Sequence, residues 1–163
     1  MIVWLFLWVA RAEVVDRVVA AVDDAPITAS EVRLEDEIDA LGLSEHPCTR
    51  LARPALDRAI DRVVIRAAAG DTSIYAPTEE RVAERVERVR ASFPDRESLL
   101  AWETGHGLDD VGLSLVVRRR LVVERWLERN ARLDASDPGP KCAAVLADAR
   151  SRRRIRVIAE VGP

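Results

Sequence analysis

The chain has 163 residues, of which 48% are hydrophobic and 33% charged, and this suits one globular domain with a core of useful size. Its net charge of −3 and isoelectric point near 5.5 exclude a general attraction to nucleic acid, which depends on clustered cations that neutralise phosphates. We therefore expect a single domain without a nucleic-acid partner.

The first residues have the pattern of an export signal. The apolar run Ile2 to Val9 is followed by Ala10-Arg11-Ala12, a small-x-small cleavage site, and is far shorter than the roughly 20 residues that a transmembrane helix needs. We expect a signal peptide over residues 1–12 or, because no positive residue precedes the apolar run, a short uncleaved anchor. The pattern predicts a periplasmic protein of a Gram-negative type envelope, with no stable membrane span after cleavage.

A β-hairpin and a capped helix are predicted next. β-branched residues up to Val22, a turn at Asp23-Asp24 and a short return through Ile27 indicate the hairpin, with Pro26 tolerated on an edge strand. Thr28 or Ser30 then caps a helix that ends near Gly42. Its narrow apolar face comprises Val32, Leu34, Ile38 and Leu41.

Three further helices follow. The second begins near Pro54 and ends at Gly70; its inner face comprises Leu56, Ile60, Val63, Val64 and Ala67, with Asp57, Arg58, Asp61, Arg62 and Arg66 outside. The third begins at Thr78, a capping residue, and carries Val82, Val86, Val89 and Phe93 at helical spacing. Asp95 caps a short fourth helix that contains Leu100 and Trp102.

The longest helical pattern runs from Leu108 to Leu133 and is capped by Asp109. Its apolar residues cover more than half of the circumference, so we expect it to be packed on two sides. A helix of about 24 residues is roughly 36 Å long and spans a small domain. This helix is predicted to be the centre of the fold.

The chain ends in a predicted helix, about Lys141 to Arg152, and a strand from Arg154 to Ala159. Apolar and basic residues alternate in the strand with the period of a half-buried edge. A lone strand leaves its backbone groups without partners, and the other strand candidates lie between Val15 and Ile27. The two ends of the chain are therefore expected to share one small antiparallel sheet.

The order of these parts resembles a known family. The segments VVDRVVAAVDDAPITASEV, ALDRAIDRVVIRAA, PTEERVAERVERVRASF, DRESLLAWETGHGLDDVGLSLVVRRRLVVERWLERNARL and RIRVIA are similar to the N-terminal chaperone domain of SurA-type periplasmic folding factors. The resemblance implies a mainly α domain over residues 13–163, with a long central helix and a small sheet. It also implies a chaperone that binds unfolded outer-membrane or secreted polypeptides.

The chain departs from that family in one place. Family members carry parvulin-type prolyl isomerase domains, each roughly 90–100 residues long, between the central helix and the final helix. Here only Asp134 to Lys141 occupies that position. Isomerase activity is therefore not carried over to this chain.

The sequence contains no pattern typical of catalysis. The two histidines, His46 and His106, lack the spacing of a triad, and there is no glycine-rich phosphate loop. We expect no enzymatic activity and no cofactor. His46, Cys48, His106 and Cys142 lack the tight spacing of zinc ligands, so no metal site is predicted.

The cysteines and the charged segments have simpler interpretations. In an exported protein the even number of cysteines favours a Cys48–Cys142 disulfide; the alternative is two unrelated thiols. The acidic segment LEDEIDA and the Glu/Arg helix are interpreted as solvated faces, as is the basic cluster near the C-terminus, for which a lipid headgroup or nucleic acid is the alternative. That cluster comprises Arg150, Arg152, Arg153, Arg154 and Arg156.

Three function classes are weighed, and one of them, an enzyme of unknown type, is disfavoured because the sequence lacks a convergent polar constellation. The first is a chaperone with an apolar groove between helices, and the second is an adaptor that commits the same apolar surface to one fixed envelope partner. The candidate peptide-binding residues are Leu100, Trp102, Val117 and Leu121. The alternative for each of these four is a place in the hydrophobic core.

Overall fold

The structure is a computed structural model, and it describes residues 16–42, 44–131 and 138–158. These residues form a mainly helical fold with a small three-stranded antiparallel sheet, as the sequence predicts. The strands are β1 (Val18–Val22), β2 (Ala25–Thr28) and β3 (Ile155–Val157), and the helices are α1 (Ala29–Ala40), α2 (Ala55–Ala69), α3 (Glu79–Ala91), α4 (Arg96–Gly105), α5 (Asp110–Asn130) and α6 (Pro138–Ser151). The predicted signal peptide lies outside the described residues.

The sheet joins the two ends of the chain. Its strand order is β2-β1-β3, with Val22 opposite Ile155 and Ala20 opposite Val157. The backbone N–H of Asp23 donates to the carbonyl of Arg154 at 2.8 Å. The prediction that the N-terminal hairpin and the C-terminal strand share one sheet is confirmed.

Side-chain caps set where the helices begin. The Thr28 side chain accepts a hydrogen bond from the backbone N–H of Glu31, while the Glu31 carboxylate accepts one from the N–H of Thr28. This capping box starts α1 directly after β2, because both orphan N–H groups find partners. Thr78, Asp95 and Asp109 cap α3, α4 and α5 as predicted.

Helix α5 lies between two parts of the core. Leu113, Val117 and Leu121 pack with valines of α3, whereas Val123 and Leu127 pack with α2 and α6. The expectation that this helix is packed on two sides is confirmed. Val111 and Leu115, at the start of its apolar pattern, are however 75% and 45% exposed.

The predicted outer face of α2 is partly wrong. Asp61 and Arg62 are buried, Ile65 is also buried, and Ala67 is exposed. The reason is that α2 is surrounded: β1, α1, α5 and α6 all contact it. Burial of the two charged residues is tolerated because Asp61 pairs with Arg150 of α6 and Arg62 pairs with Asp39 of α1.

Helix α6 is held against the first half of the domain by a disulfide. Cys142 of α6 is bonded to Cys48, which lies in a short 3₁₀ turn (Pro47–Arg50), with a Cα–Cα distance of 5.1 Å. Both cysteines are buried, and Ile65, Val123 and Leu127 belong to the same cluster. The helix begins at Pro138, earlier than predicted, because proline is tolerated in a first turn.

We predict that replacing both cysteines, Cys48→Ala with Cys142→Ala, lowers the free energy of unfolding by about 3–5 kcal/mol. The bond closes a loop across 94 positions of sequence, and removing it restores conformational entropy to the unfolded chain. Urea unfolding of the oxidised wild type and the double variant measures the difference. Equal midpoints for the two proteins would contradict the prediction.

Candidate functional site

Two of the four predicted peptide-binding residues are core residues. Val117 and Leu121 are only 1% and 3% exposed and pack against Val82, Val86 and Val89 of α3. Their assignment to an open groove is therefore wrong. The sequence did not separate them from groove residues because α5 is apolar around most of its circumference.

The other two residues, on α4, have different surroundings. Leu100 is 48% exposed, whereas Trp102 is partly buried and lies between the rings of Phe93 and His106. The indole N–H of Trp102 donates to Oε2 of Glu37 at 2.7 Å, and Nε2 of His106 lies 2.7 Å from the same oxygen. Trp102 thus fastens α4 to α1, and only Leu100 of the four presents a large apolar surface.

The four residues considered as zinc ligands do not form a site. Cys48 and Cys142 are bonded to each other, Nδ1 of His46 accepts a hydrogen bond from the backbone N–H of Cys48, and His106 pairs with Glu37. Within residues 16–42, 44–131 and 138–158, no three acidic, histidine or cysteine side chains are grouped to hold a metal ion.

An apolar groove lies between α1, α2 and α5. It encloses a cavity of about 80 Å³, and we refer to it as the α1–α2–α5 groove. Its apolar lining comprises Ile27, Leu34, Ala59, Val63 and Val116, and its charged lining comprises Glu31, Glu35, Arg62, Arg66 and Arg119. Ile27 and Ala59 are buried, so they form the floor, while the other apolar residues are half-buried and form the walls.

The walls come from the edges of apolar helix faces. Val32 and Ile38 of α1 are buried, whereas Leu34 lies about 160° round the helix from Val32 and is left half-buried. Val116 is rotated by about 100° from its buried neighbour Val117. These side chains are apolar surface that the core does not use.

Some of the charged side chains that line the groove have bonding partners, and others do not. The carboxylate of Glu31 accepts a hydrogen bond from the backbone N–H of Thr28 in the capping box, and the carboxylate of Glu35 accepts one from Arg120. The guanidinium groups of Arg66 and Arg119, in contrast, make no ion pair or hydrogen bond within the part of the chain that the structure describes. Burial and the nearby charge of Arg119 lower the pKa of Arg66, outweighing the attraction of Glu35 and Glu31.

A buried charge network lies next to the groove. Asp39 of α1 accepts hydrogen bonds from Arg58 and Arg62 of α2 and from Arg120 of α5, and the hydroxyl of Ser44 donates to it at 3.0 Å. Burial by itself would raise the pKa of Asp39, but the charges of Arg120 and Arg62 lower it overall. The network ties together the three helices that form the groove.

A larger hollow of about 340 Å³ lies between the C-terminal end of α1 and the Pro47–Arg50 turn. Its acidic residues Asp36 and Asp39 are both bound by Arg58, which also lines it. Because these charges are already paired with one another, we take the α1–α2–α5 groove as the candidate site.

Sequence reasoning missed most of the groove. Leu34 and Val63 were assigned to packed faces, Arg66 to a solvated face, and Val116 to the broad apolar surface of the central helix. Helical periodicity shows which residues share a face but not which part of that face a neighbour covers. The available signal was that α5 carries more apolar positions than a single packing contact needs.

Comparisons with protein families, curated proteins and solved structures gave no match to this chain. In the described residues no helix is both long enough and apolar enough to cross a membrane.

We predict that Asp39→Asn lowers the free energy of unfolding by about 3 kcal/mol at pH 7, because the buried arginines Arg62 and Arg120 lose a counter-charge. The pKa of Asp39 is depressed by folding, so its stabilising effect is present above the unfolded value of about 3.9 and is lost as pH falls through the lower folded pKa. The difference between wild type and variant should therefore shrink below about pH 4.

Urea unfolding of both proteins between pH 7 and pH 2.5 measures this difference. The control is Asp24→Asn, which removes an exposed ion pair with Arg154 and should change stability by less than about 1 kcal/mol. A wild-type advantage over Asp39→Asn that is unchanged down to pH 2.5 would refute the assignment to the carboxylate.

Proposed function

We propose that this chain is a periplasmic chaperone similar to the N-terminal domain of SurA-type folding factors. It binds unfolded outer-membrane or secreted polypeptides without isomerase activity, and the α1–α2–α5 groove is the binding surface. The observation that carries the proposal is an apolar groove that stays open in the folded domain, together with the sequence resemblance given above.

The groove has the chemistry that transient binding of unfolded chains requires. Half-buried aliphatic walls from Leu34, Val63 and Val116 offer non-directional contacts to apolar side chains of many sequences. Charged residues at the border keep the surface around the groove hydrated. Binding of this kind needs neither ATP nor a covalent step.

The three helices that form the groove are joined to one another, and this favours binding. Asp39 and its arginine partners connect α1, α2 and α5, so the three walls are joined by charge-assisted hydrogen bonds. A groove whose walls are already in place binds with a smaller loss of conformational entropy than one that must be assembled.

The proposed compartment is supported by cysteine chemistry. The Cys48–Cys142 disulfide is compatible with an oxidising environment such as the periplasm, whereas cytosolic reductants keep most thiols reduced. The export pattern in residues 1–12 points to the same compartment.

The proposal contains no catalytic step. The segment from Asn130 to Pro138 is far too short for a parvulin domain of roughly 90–100 residues. The groove itself brings together arginines, glutamates and aliphatic side chains, without a paired nucleophile and base.

A second candidate function is that of an adaptor for one fixed envelope partner. The observation that favours it is the exposed apolar pair Val111 and Leu115, one turn apart on α5, with Leu100 also exposed on α4. An adaptor binds one partner tightly, whereas a chaperone binds many unfolded chains weakly. A panel of unrelated unfolded clients separates the two functions.

We predict that the full chain suppresses aggregation of an unfolded outer-membrane protein, and that Leu34→Gln with Val116→Gln weakens this activity roughly tenfold by removing apolar contact area. The matched control is Val111→Gln with Leu115→Gln, which changes an exposed apolar pair outside the groove. Light scattering over a range of chaperone concentrations gives the ratio, and circular dichroism verifies folding. Loss of protection in the control pair alone would place client binding at the exposed Val111 and Leu115 instead of the groove.

A further inference from the structure

The guanidinium groups of the two arginines on the border of the α1–α2–α5 groove, Arg66 and Arg119, have no ion-paired or hydrogen-bonded partner among the described residues. Among arginines of the described residues whose side chains make neither an ion pair nor a hydrogen bond, Arg66 alone is partly buried, and the others are exposed. Arg119 lines the same groove, and its charge acts on Arg66. Two like charges at a partly desolvated border attract an anion.

The acidic residues of the groove attract Arg66, but their carboxylates are bonded to other groups. Glu31 is engaged by the backbone N–H of Thr28, and Glu35 by Arg120, with Nη1 of Arg62 3.3 Å from the Glu35 carboxylate. That Nη1 atom is buried and makes no hydrogen bond, so a third arginine of the groove also has unused donor capacity. The arginines of the groove therefore have hydrogen-bond donors that an external carboxylate can use.

The size of the cavity limits the apolar group that a ligand can carry next to its anionic group. A volume of about 80 Å³ admits a few atoms, well below the roughly 300 Å³ at which pockets for drug-sized ligands begin. Its floor, Ile27 and Ala59, is apolar and buried. One aliphatic side chain fits these requirements, whereas the chain of a long fatty acid does not.

We propose that the α1–α2–α5 groove recognises the free carboxyl terminus of a polypeptide that ends in an apolar residue. Arg66 and Arg119 bind the terminal carboxylate, and the cavity between Leu34, Val63 and Val116 takes the last side chain. This inference rests on the proposed function and specifies it: the preferred clients are chains with an accessible apolar C-terminus.

The direct test uses two fluorescent octapeptides of the same sequence that end in leucine, one with a free carboxylate and one with a C-terminal amide. Fluorescence anisotropy with the full wild-type chain should show that the carboxylate peptide binds about tenfold tighter or more, since charge-assisted hydrogen bonds are lost with the amide. Equal affinity for the two peptides overturns the proposal, and this comparison does not depend on any variant.

Variants then assign the effect to the arginines. In Arg66→Gln with Arg119→Gln the preference for the carboxylate should fall to about one, whereas Arg129→Gln, an exposed arginine of the same helix α5, should keep the wild-type preference. A preference that persists in the double variant overturns the assignment. Displacement of the peptide by decanoate at equal concentration would also overturn it, because it would show a fatty-acid site.

Failure of this inference is distinguishable from failure of the proposed function. Equal suppression of aggregation for a client with a free and an amidated C-terminus overturns carboxylate recognition and leaves the chaperone proposal standing. Tight binding of the carboxylate peptide without suppression of aggregation has the opposite meaning: the site stands and the chaperone proposal fails.

Discussion

The arrangement of the three groove helices depends on the partly buried carboxylate of Asp39. It receives arginines from both α2 and α5, so the positions of three helices are coupled through one acidic side chain. Burying such charges is costly unless each is paired with good geometry, and a displaced helix would leave an unpaired charge in the interior. The network therefore penalises other packings of α1 more strongly than apolar contacts alone would.

A second constraint comes from the end of the chain. Strand β3 completes the sheet beside β1, and the disulfide at Cys142 holds α6 close to the first helices. Arg150 of α6 reinforces this arrangement through its ion pair with Asp61 of α2. Helix α2 is thus enclosed by elements from both ends of the sequence, and contacts distant in sequence fix its position.

The groove is a consequence of this enclosure. Because α1, α2 and α5 are positioned by ion pairs, their apolar faces do not need to close completely on one another. Leu34, Val63 and Val116 are left half-buried around a small cavity, with Arg66 and Arg119 at its border. Apolar surface of this kind, rimmed by charge, adds less to the stability of the domain than a closed contact would.

The sequence by itself determined which elements form and where the capped helices begin. Caps at Thr28, Thr78, Asp95 and Asp109, and the alternation in the last strand, are local signals, and pairing of the two chain ends followed because an isolated strand cannot satisfy its backbone. Only the tertiary structure decided which apolar and charged residues are covered. Asp61 and Arg62 are buried and Val111 is exposed, because burial depends on which neighbour packs against each face, and periodicity along one helix carries no information about that neighbour.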